Sequence, residues 1–298
     1  MSKKEHMLSL AGLLARHVSL FRCPVCGMAM NLANERSLSC TSGHLFDLSR
    51  DGYVHLMPNA KPGKYDKELF AARKLINGSG YFNGLLEELF AVIAEHFGPE
   101  PAAPLSVLDA GCGEGSHLSA LQAHLESRLH RDVIAVGADL SKPGVRTAAK
   151  GNPRALWCVA DLARSPFQDE SFDVITNILS PSNYGEFRRL LANGGMLAKV
   201  VPGPEYLREL RQFLYGRQAR RDKDPERTAA LFAEHFPDME ERRVRYETLL
   251  DPRHLEAMLR MTPLSWHAPE EQVRRLLAQS SFRMTFDFYI LWGKHFIK

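Results

Sequence analysis

Three cysteines and a histidine near the N-terminus carry the spacing of a metal site. Cys23 and Cys26 bracket Pro24-Val25 and are followed by Gly27, and Cys40-Thr-Ser-Gly-His44 completes a C-x2-C-x13-C-x3-H set. A Cys-x-x-Cys turn lets two thiolates face one ion, and the second pair closes a tetrahedron around zinc. Four protein ligands leave no open coordination position, so the expected metal is structural. A segment this poor in apolar residues gains its folding energy from the ion. A chance arrangement or a redox Cys-x-x-Cys is the competing explanation. The chain has 5 cysteines, and the other two, Cys112 and Cys158, lie far downstream, which argues against a disulfide framework.

The second stretch suited to chemistry is Val107-Leu-Asp-Ala-Gly-Cys-Gly-Glu-Gly115, where an apolar run ends in Asp109 and a Gly-x-Gly-x-Gly turn. With Ser116 to Leu125 reading as a helix, this is the layout of a buried strand, a glycine loop and a helix. Gly111 and Gly113 permit a tight turn and close approach of a ligand. A strand-to-helix turn that binds nothing would need the same glycines. The strand ends that follow discriminate further. Asp132 to Asp139 reads as a second strand whose terminal Asp139 stands where ribose hydroxyls are bound. Ala155 to Asp161 reads as a third, with Asp161 placed to meet an adenine amino group. A dinucleotide dehydrogenase would show G-x-G-x-x-G, but the third position here is Ser116. The set favours S-adenosylmethionine over NAD as cofactor.

The elements that must position these residues alternate. Phe172 to Leu179 reads as a fourth strand, Tyr184 to Ala192 as a helix, and Met196 to Val201 as a fifth strand. Met284 to Trp292 supplies an extra one. The expected fold is α/β: a Rossmann-like parallel sheet with right-handed crossovers, preceded by a small zinc-binding module. Residues 1–62 are read as an N-terminal extension with the zinc-binding module, and 63–298 as the S-adenosylmethionine-dependent methyltransferase domain. Residues 1–20 carry a short amphipathic helical pattern (Leu8, Leu10, Leu13 and Leu14) and are expected to form a poorly ordered extension. His44 to Met57 is read as a hairpin turning at Asp51-Gly52, residues 58–62 as a linker, and 98–104 as a stiff connection. Helices are expected over Asp66–Ile76 and Tyr81–Phe97.

Several further segments carry a resemblance: Cys23-Pro-x-Cys26, Cys40-x-x-x-His44-x-Phe-Asp47, Gly52-Tyr-Val-x-Leu56, Ala72-Arg73, Gly80-Tyr81 and Leu108 to Gly115. Asp139-x-Ser-Lys142, Val201-Pro-Gly-Pro204 with Leu207, and Met261-Thr-Pro-x-x-Trp266 extend it. From about Cys23 to the C-terminus the chain resembles the bacterial 23S ribosomal RNA guanine-N1-methyltransferases. The resemblance implies a zinc module used in RNA recognition, a catalytic Rossmann-like domain, and a homodimer gripping a 23S rRNA hairpin. It assigns zinc to Cys23, Cys26, Cys40 and His44, and cofactor contact to Tyr81, His117, Leu118 and Tyr206, positions 117 and 206 being variable in the family. An aromatic residue that merely opens a helix would also account for Tyr81. Phe172 to Phe187, with Ser180-Pro-Ser-Asn-Tyr184, resembles the branch modifying the second of two nearby guanines. An ordinary strand-to-helix loop would read the same way.

The implied reaction is displacement at a sulfonium methyl by guanine N1, in which the protein mainly aligns donor and acceptor. N1 normally sits inside a base pair, so the base must be unpaired or flipped. Asn177, Ser180, Asn183 and Tyr184, at the mouth of the fourth strand, are the candidates for reading or deprotonating it, and none stands out as a general base. RNA specificity is expected from loop shape and stacking. Two rivals are a small-molecule methyltransferase with a structural zinc knuckle and a non-catalytic RNA-binding protein. The intact Asp109, Gly111, Gly113 and Asp139 set speaks against the second. The net charge of +3 is too small to imply nucleic acid by itself. Arg208, Arg211, Arg217, Arg220, Arg221, Lys223 and Arg227, then Arg242, Arg243 and Arg245, cluster in ways that suit either phosphate contacts or a solvated face. No apolar run approaches the roughly 20 residues of a membrane span. The first residues lack a secretory pattern, which makes a cytoplasmic enzyme the expectation.

Overall fold

Apolar strands flanked by helices build the centre of the molecule, seen in a computed structural model that describes residues 1–57, 66–98, 103–216 and 225–295. The expected linker at 58–62, the division at 62/63, part of the 98–104 connection, and Arg217, Arg220, Arg221 and Lys223 lie outside the described residues. Strands β1 (Met30–Ala33), β2 (Ser37–Cys40) and β3 (Leu45–Asp47) form a small antiparallel sheet. The large sheet contains β4 (Val54–His55), β5 (Leu105–Ala110), β6 (Val133–Asp139), β7 (Leu156–Val159), β8 (Phe172–Ile178), β9 (Leu191–Pro202), β10 (Glu240–Leu250) and β11 (Phe282–Lys294). Its order is β10-β11-β9-β8-β5-β6-β7-β4. All pairs from β4 to β9 are parallel, while β11 and β10 add antiparallel.

Both faces of the sheet are covered, which is why its central strands are apolar throughout. In β5, Leu105 and Val107 face one core, and Leu108 and Ala110 the other. The first core is closed by α2 (Lys67–Gly78), α3 (Asn83–Phe97), α4 (Ser116–Leu129), α5 (Lys142–Gly151), α7 (Arg208–Tyr215), α9 (Pro252–Met261) and α10 (Glu270–Leu277). The second is closed by α1 (Lys3–His17), α6 (Tyr184–Leu190) and α8 (Pro225–His235).

Two N-terminal expectations are corrected. Residues 3–17 are not a loose extension: Ser2 and Glu5 form a capping box, and Leu10, Ala11 and Leu14 are buried in the second core. The turn at Asp51-Gly52 is present, with Ser49 N–H donating to Tyr53 O and Gly52 N–H to Ser49 O. Its arms then diverge instead of forming a simple hairpin. β3 pairs with β2, whereas β4 joins the large sheet beside β7, and Leu56 N–H donates to Val159 O at 2.8 Å. Asp51 reaches α5 through Arg146 at 2.7 Å and Lys150 at 3.3 Å.

Strand β10 was hidden by its charges. Along Glu240–Leu250 only Val244 and Leu250 are buried, yet the whole length pairs with β11. Its arginines are engaged within the chain: Arg242 with Glu88 and Glu95, Arg243 with Asp287 and Glu205, Arg245 with Glu205 and Glu247.

Candidate functional site

The order of strands reverses at β5, whose neighbours are β6 on one side and β8 on the other. In open α/β sheets the crevice beyond the strand ends at such a reversal is the ligand site, and the glycine loop lies there. Gly111 and Gly113 have φ of 93° and 55°, conformations that side chains rarely adopt. At Gly111 there is a second requirement, because a Cβ there would fall on the Ser180 hydroxyl.

The strand-end acid Asp139 holds this loop. Asp139 accepts the Gly113 N–H at 2.9 Å and the Ser141 N–H at 2.7 Å, one on each carboxylate oxygen. Each oxygen retains acceptor capacity for a ribose hydroxyl. Burial raises the Asp139 pKa, opposed by its two backbone hydrogen bonds and by the nearby Arg73 charge. Asp109 lies beneath the loop, accepts from Thr176 Oγ1 at 3.1 Å, and is pushed up to about 7 by burial. Asp161 is only partly buried beyond β7 and accepts the Ala163 N–H at 2.8 Å. Leu140, beside Asp139, is exposed.

Helix α2 covers the loop. Arg73 comes close to Gly113, its guanidinium 5.6 Å from the centre of the Phe70 ring. Glu114, buried, accepts from Asn77 Nδ2 at 2.8 Å and Ser116 Oγ at 2.7 Å, which ties the end of α2 to the start of α4. Neither Arg73 nor Glu114 stood out individually in the sequence, although both lie in segments carrying the resemblance. His117 packs on Phe82 at 5.4 Å, and its Nε2 is shielded with no hydrogen-bond partner among the described residues. Burial, aided by the Arg73 charge, lowers its pKa to about 4. Leu118 is buried in the core.

Aromatic rings form the adjoining wall. Phe286 on β11 stacks with Tyr246 at 5.4 Å and Tyr81 at 6.5 Å, and Tyr206 lies 5.0 Å from Phe288. The Tyr246 hydroxyl donates to Tyr81 O, and burial raises the pKa of both Tyr81 and Tyr206. The turn that presents Tyr206 is pinned by buried Asp287, which binds Arg243 through both oxygens at 2.9 and 3.0 Å and accepts the Glu205 N–H at 2.8 Å. A Cβ on Gly203 would collide with that carboxylate.

The candidates after the fourth strand separate into different environments. Asn177 is fully buried: Nδ2 donates to Ala110 O and Pro181 O, and Oδ1 accepts from Lys199 and Ser182. Ser180 faces the glycine loop. Asn183 caps α6 by accepting the Glu186 N–H. Tyr184 turns into the second core against Phe232 at 5.7 Å and His235 at 5.1 Å.

The Cys23, Cys26, Cys40 and His44 ligand atoms lie within 4.8 Å of one another. Cys26 Sγ and Cys40 Sγ are 3.6 Å apart, and His44 Nδ1 is 3.4 Å from Cys40 Sγ and 3.6 Å from Cys23 Sγ. Tetrahedral zinc with arms of about 2.0–2.3 Å has ligand edges of roughly 3.5–3.8 Å, so this donor set fits one structural zinc. Backbone turns shape both halves, through Gly27 N–H to Cys23 O and Gly43 N–H to Cys40 O. The Met28 backbone N–H is the main cause that lowers the Cys26 pKa to about 6, favouring the thiolate that binds metal. The ribbon is fastened to the large domain by Arg22 N–H to Pro166 O, Gln168 N–H to Leu20 O, and Phe21 against Phe167 at 5.4 Å.

A parallel sheet with this reversal, loop and pair of strand-end acids, carrying a three-cysteine, one-histidine ribbon, defines a class I S-adenosylmethionine-dependent methyltransferase with a structural zinc. Comparison with known proteins narrows the class. A zinc-ribbon family model described as "RlmA, N-terminal" matches residues 21–63, and a methyltransferase-domain model matches residues 107–195. The chain is 43% identical over 277 residues to "Putative 23S rRNA (guanine-N(1)-)-methyltransferase YxjB" of Bacillus subtilis (strain 168), covering 92% of this chain and 97% of that protein. It is 34% identical over 264 residues to the "23S rRNA (guanine(748)-N(1))-methyltransferase" of Streptomyces fradiae, covering 88% of this chain and 91% of that one. The chain belongs to the 23S rRNA guanine-N1-methyltransferase family.

Proposed function

We propose that this protein transfers the methyl group of S-adenosylmethionine to N1 of one guanine in a hairpin loop of 23S rRNA. The observation that carries the reading is likeness to the Bacillus and Streptomyces relatives across nearly the whole chain, ribbon included. S-Adenosylmethionine would supply an electrophilic methyl group: the N1–C bond would form as the sulfonium C–S bond breaks with its electrons returning to sulfur, and the N1 proton would leave to solvent. Asp139 binds the ribose, and Gly111, Gly113 and Asp109 shape the floor of the pocket. Tyr81, His117, Leu118 and Tyr206 line it, and Asp161 meets the adenine. Ser180 borders the acceptor side, Asn177 holds the loop of Ser180 from within the fold, and Tyr184 anchors the start of α6 in the second core. The residue 1–62 unit reads the RNA with its zinc ribbon, and residues 63–298 carry the chemistry. The protein works in the cytoplasm as a homodimer. Among the described residues no helix is long and apolar enough to cross a membrane. On the sequence of Phe172 to Phe187 we assign the chain to the branch that modifies the second of two nearby guanines; the Streptomyces relative is named for guanine 748.

Primer extension tests this on large-subunit RNA from a strain lacking the gene, methylated in vitro with purified protein and S-adenosylmethionine. A methyl on N1 blocks Watson–Crick pairing, so the expected result is a new stop one nucleotide before a hairpin-loop guanine. No stop from protein that binds both cofactor and zinc overturns the N1-guanine assignment.

A further inference from the structure

Lysine is among the residues least often enclosed by protein, because its ammonium gives up hydration that only oxygen acceptors replace. Lys199 is nevertheless 5% exposed, within the central strand β9, where an aliphatic side chain would be the ordinary occupant. Its ammonium donates to Asn177 Oδ1 at 2.7 Å and to the Ser180 carbonyl at 3.1 Å. Asn177, its partner in the β8–β9 register, passes the connection on. Its Nδ2 donates to Ala110 O at 2.7 Å and to Pro181 O at 3.2 Å, while Oδ1 also accepts from Ser182 Oγ at 3.0 Å. One hydrogen-bonded set therefore joins the ends of β5 and β8 to the loop at 179–183. That loop is held in an uncommon conformation, Leu179 having a φ of 52°. Ser180 in turn lies against Gly111, so the loop's position is registered directly on the glycine loop.

We propose that Lys199 is a positioning residue for methyl transfer. By holding Asn177 and the Ser180 carbonyl, it fixes the 179–183 loop against the glycine loop and sets the approach of the guanine to the methyl group. The inference rests on the methyltransferase reading above. In-line displacement is sensitive to alignment, and a misplacement of about 1 Å costs about 100-fold in rate. Lys199 acts through the loop and does not itself exchange a proton with the substrate.

The test uses zinc-loaded full-length protein, the hairpin RNA, steady-state methylation and calorimetric titration with S-adenosylmethionine. Wild-type protein must first give the primer-extension stop; its failure there refutes the N1-guanine reading before any variant is compared. Lys199→Met removes the donor and keeps the apolar stem. Its kcat is expected to fall by about 100-fold, with the cofactor Kd and the RNA KM within about twofold of wild type. Lys199→Gln keeps an N–H donor and is expected to recover about tenfold of that loss. An unchanged kcat in Lys199→Met, a parallel loss of cofactor affinity, or a Gln variant no better than Met would each overturn the proposal. If Lys199→Met does not fold, Ser182→Ala removes another donor to the same Asn177 oxygen. It is expected to lower kcat about fivefold at unchanged cofactor affinity, and an unchanged kcat overturns the proposal equally.

Discussion

At the scale of single residues, the glycine loop and its acids were legible because each is defined by a few neighbours in sequence. What each side chain is already doing was not. Asn177 has the right address, yet its amide is consumed by backbone and Lys199, and Tyr184 faces away from the loop into the second core. Those facts depend on strands far apart in the chain. His117 makes the same point through its protonation. Its pKa falls from an ordinary 6.5 to about 4 in the folded protein, so the unfolded chain binds the extra proton more readily between those values. Stability from this group is complete above about pH 6.5 and is lost as pH falls towards 4. Asp109, raised to about 7, has the opposite sign: it favours the folded state at low pH and loses that contribution as pH rises towards 7. The two slopes overlap, so the useful comparison is with a variant. The stability of wild type relative to His117→Gln is expected to decrease as pH is lowered from 6.5 to 4, measured by urea unfolding. A constant difference across that range would show that His117 is not held neutral.

At the scale of elements, strands with unbroken apolar runs were readable and strands with charged outer faces were not. β6 and β8 follow the expected limits to within one residue, whereas β10 reads as a basic cluster because solvent and ion pairs take most of its side chains. Helix α1 was underestimated for a related reason. Its apolar stripe is short, and only the second core reveals what the stripe packs against. The ribbon's metal-ligand set was legible because its ligands are local, although the pairing of its strands was not, and its stability should depend on the ion the ligands share. Chelation of zinc is expected to expose residues 21–47 to protease while the glycine loop keeps its affinity for S-adenosylmethionine. Limited proteolysis with mass spectrometry, alongside cofactor titration, checks both halves. A ribbon that stays resistant after metal removal would mean that its contacts with the large domain suffice to hold it.

At the scale of the whole molecule, the sequence divided the chain into a module and a domain, and the described residues join them more closely than that division suggests. The proposed homodimer belongs to this scale. Sedimentation equilibrium at micromolar concentration is expected to give the mass of two chains without RNA, and a single-chain mass would remove the dimer from the proposal. Besides the contacts of Phe21 and Arg22, the joint includes two residues of β4, laid along β7 and backed by Asp51 on Arg146 and Lys150. For protein engineers this makes the ribbon a poor cassette. A chimaera cut between zinc site and catalytic core would leave the host sheet with an unpaired border and two stranded cations. The exchangeable unit is therefore discontinuous: the ribbon travels with its receiving strand and helix.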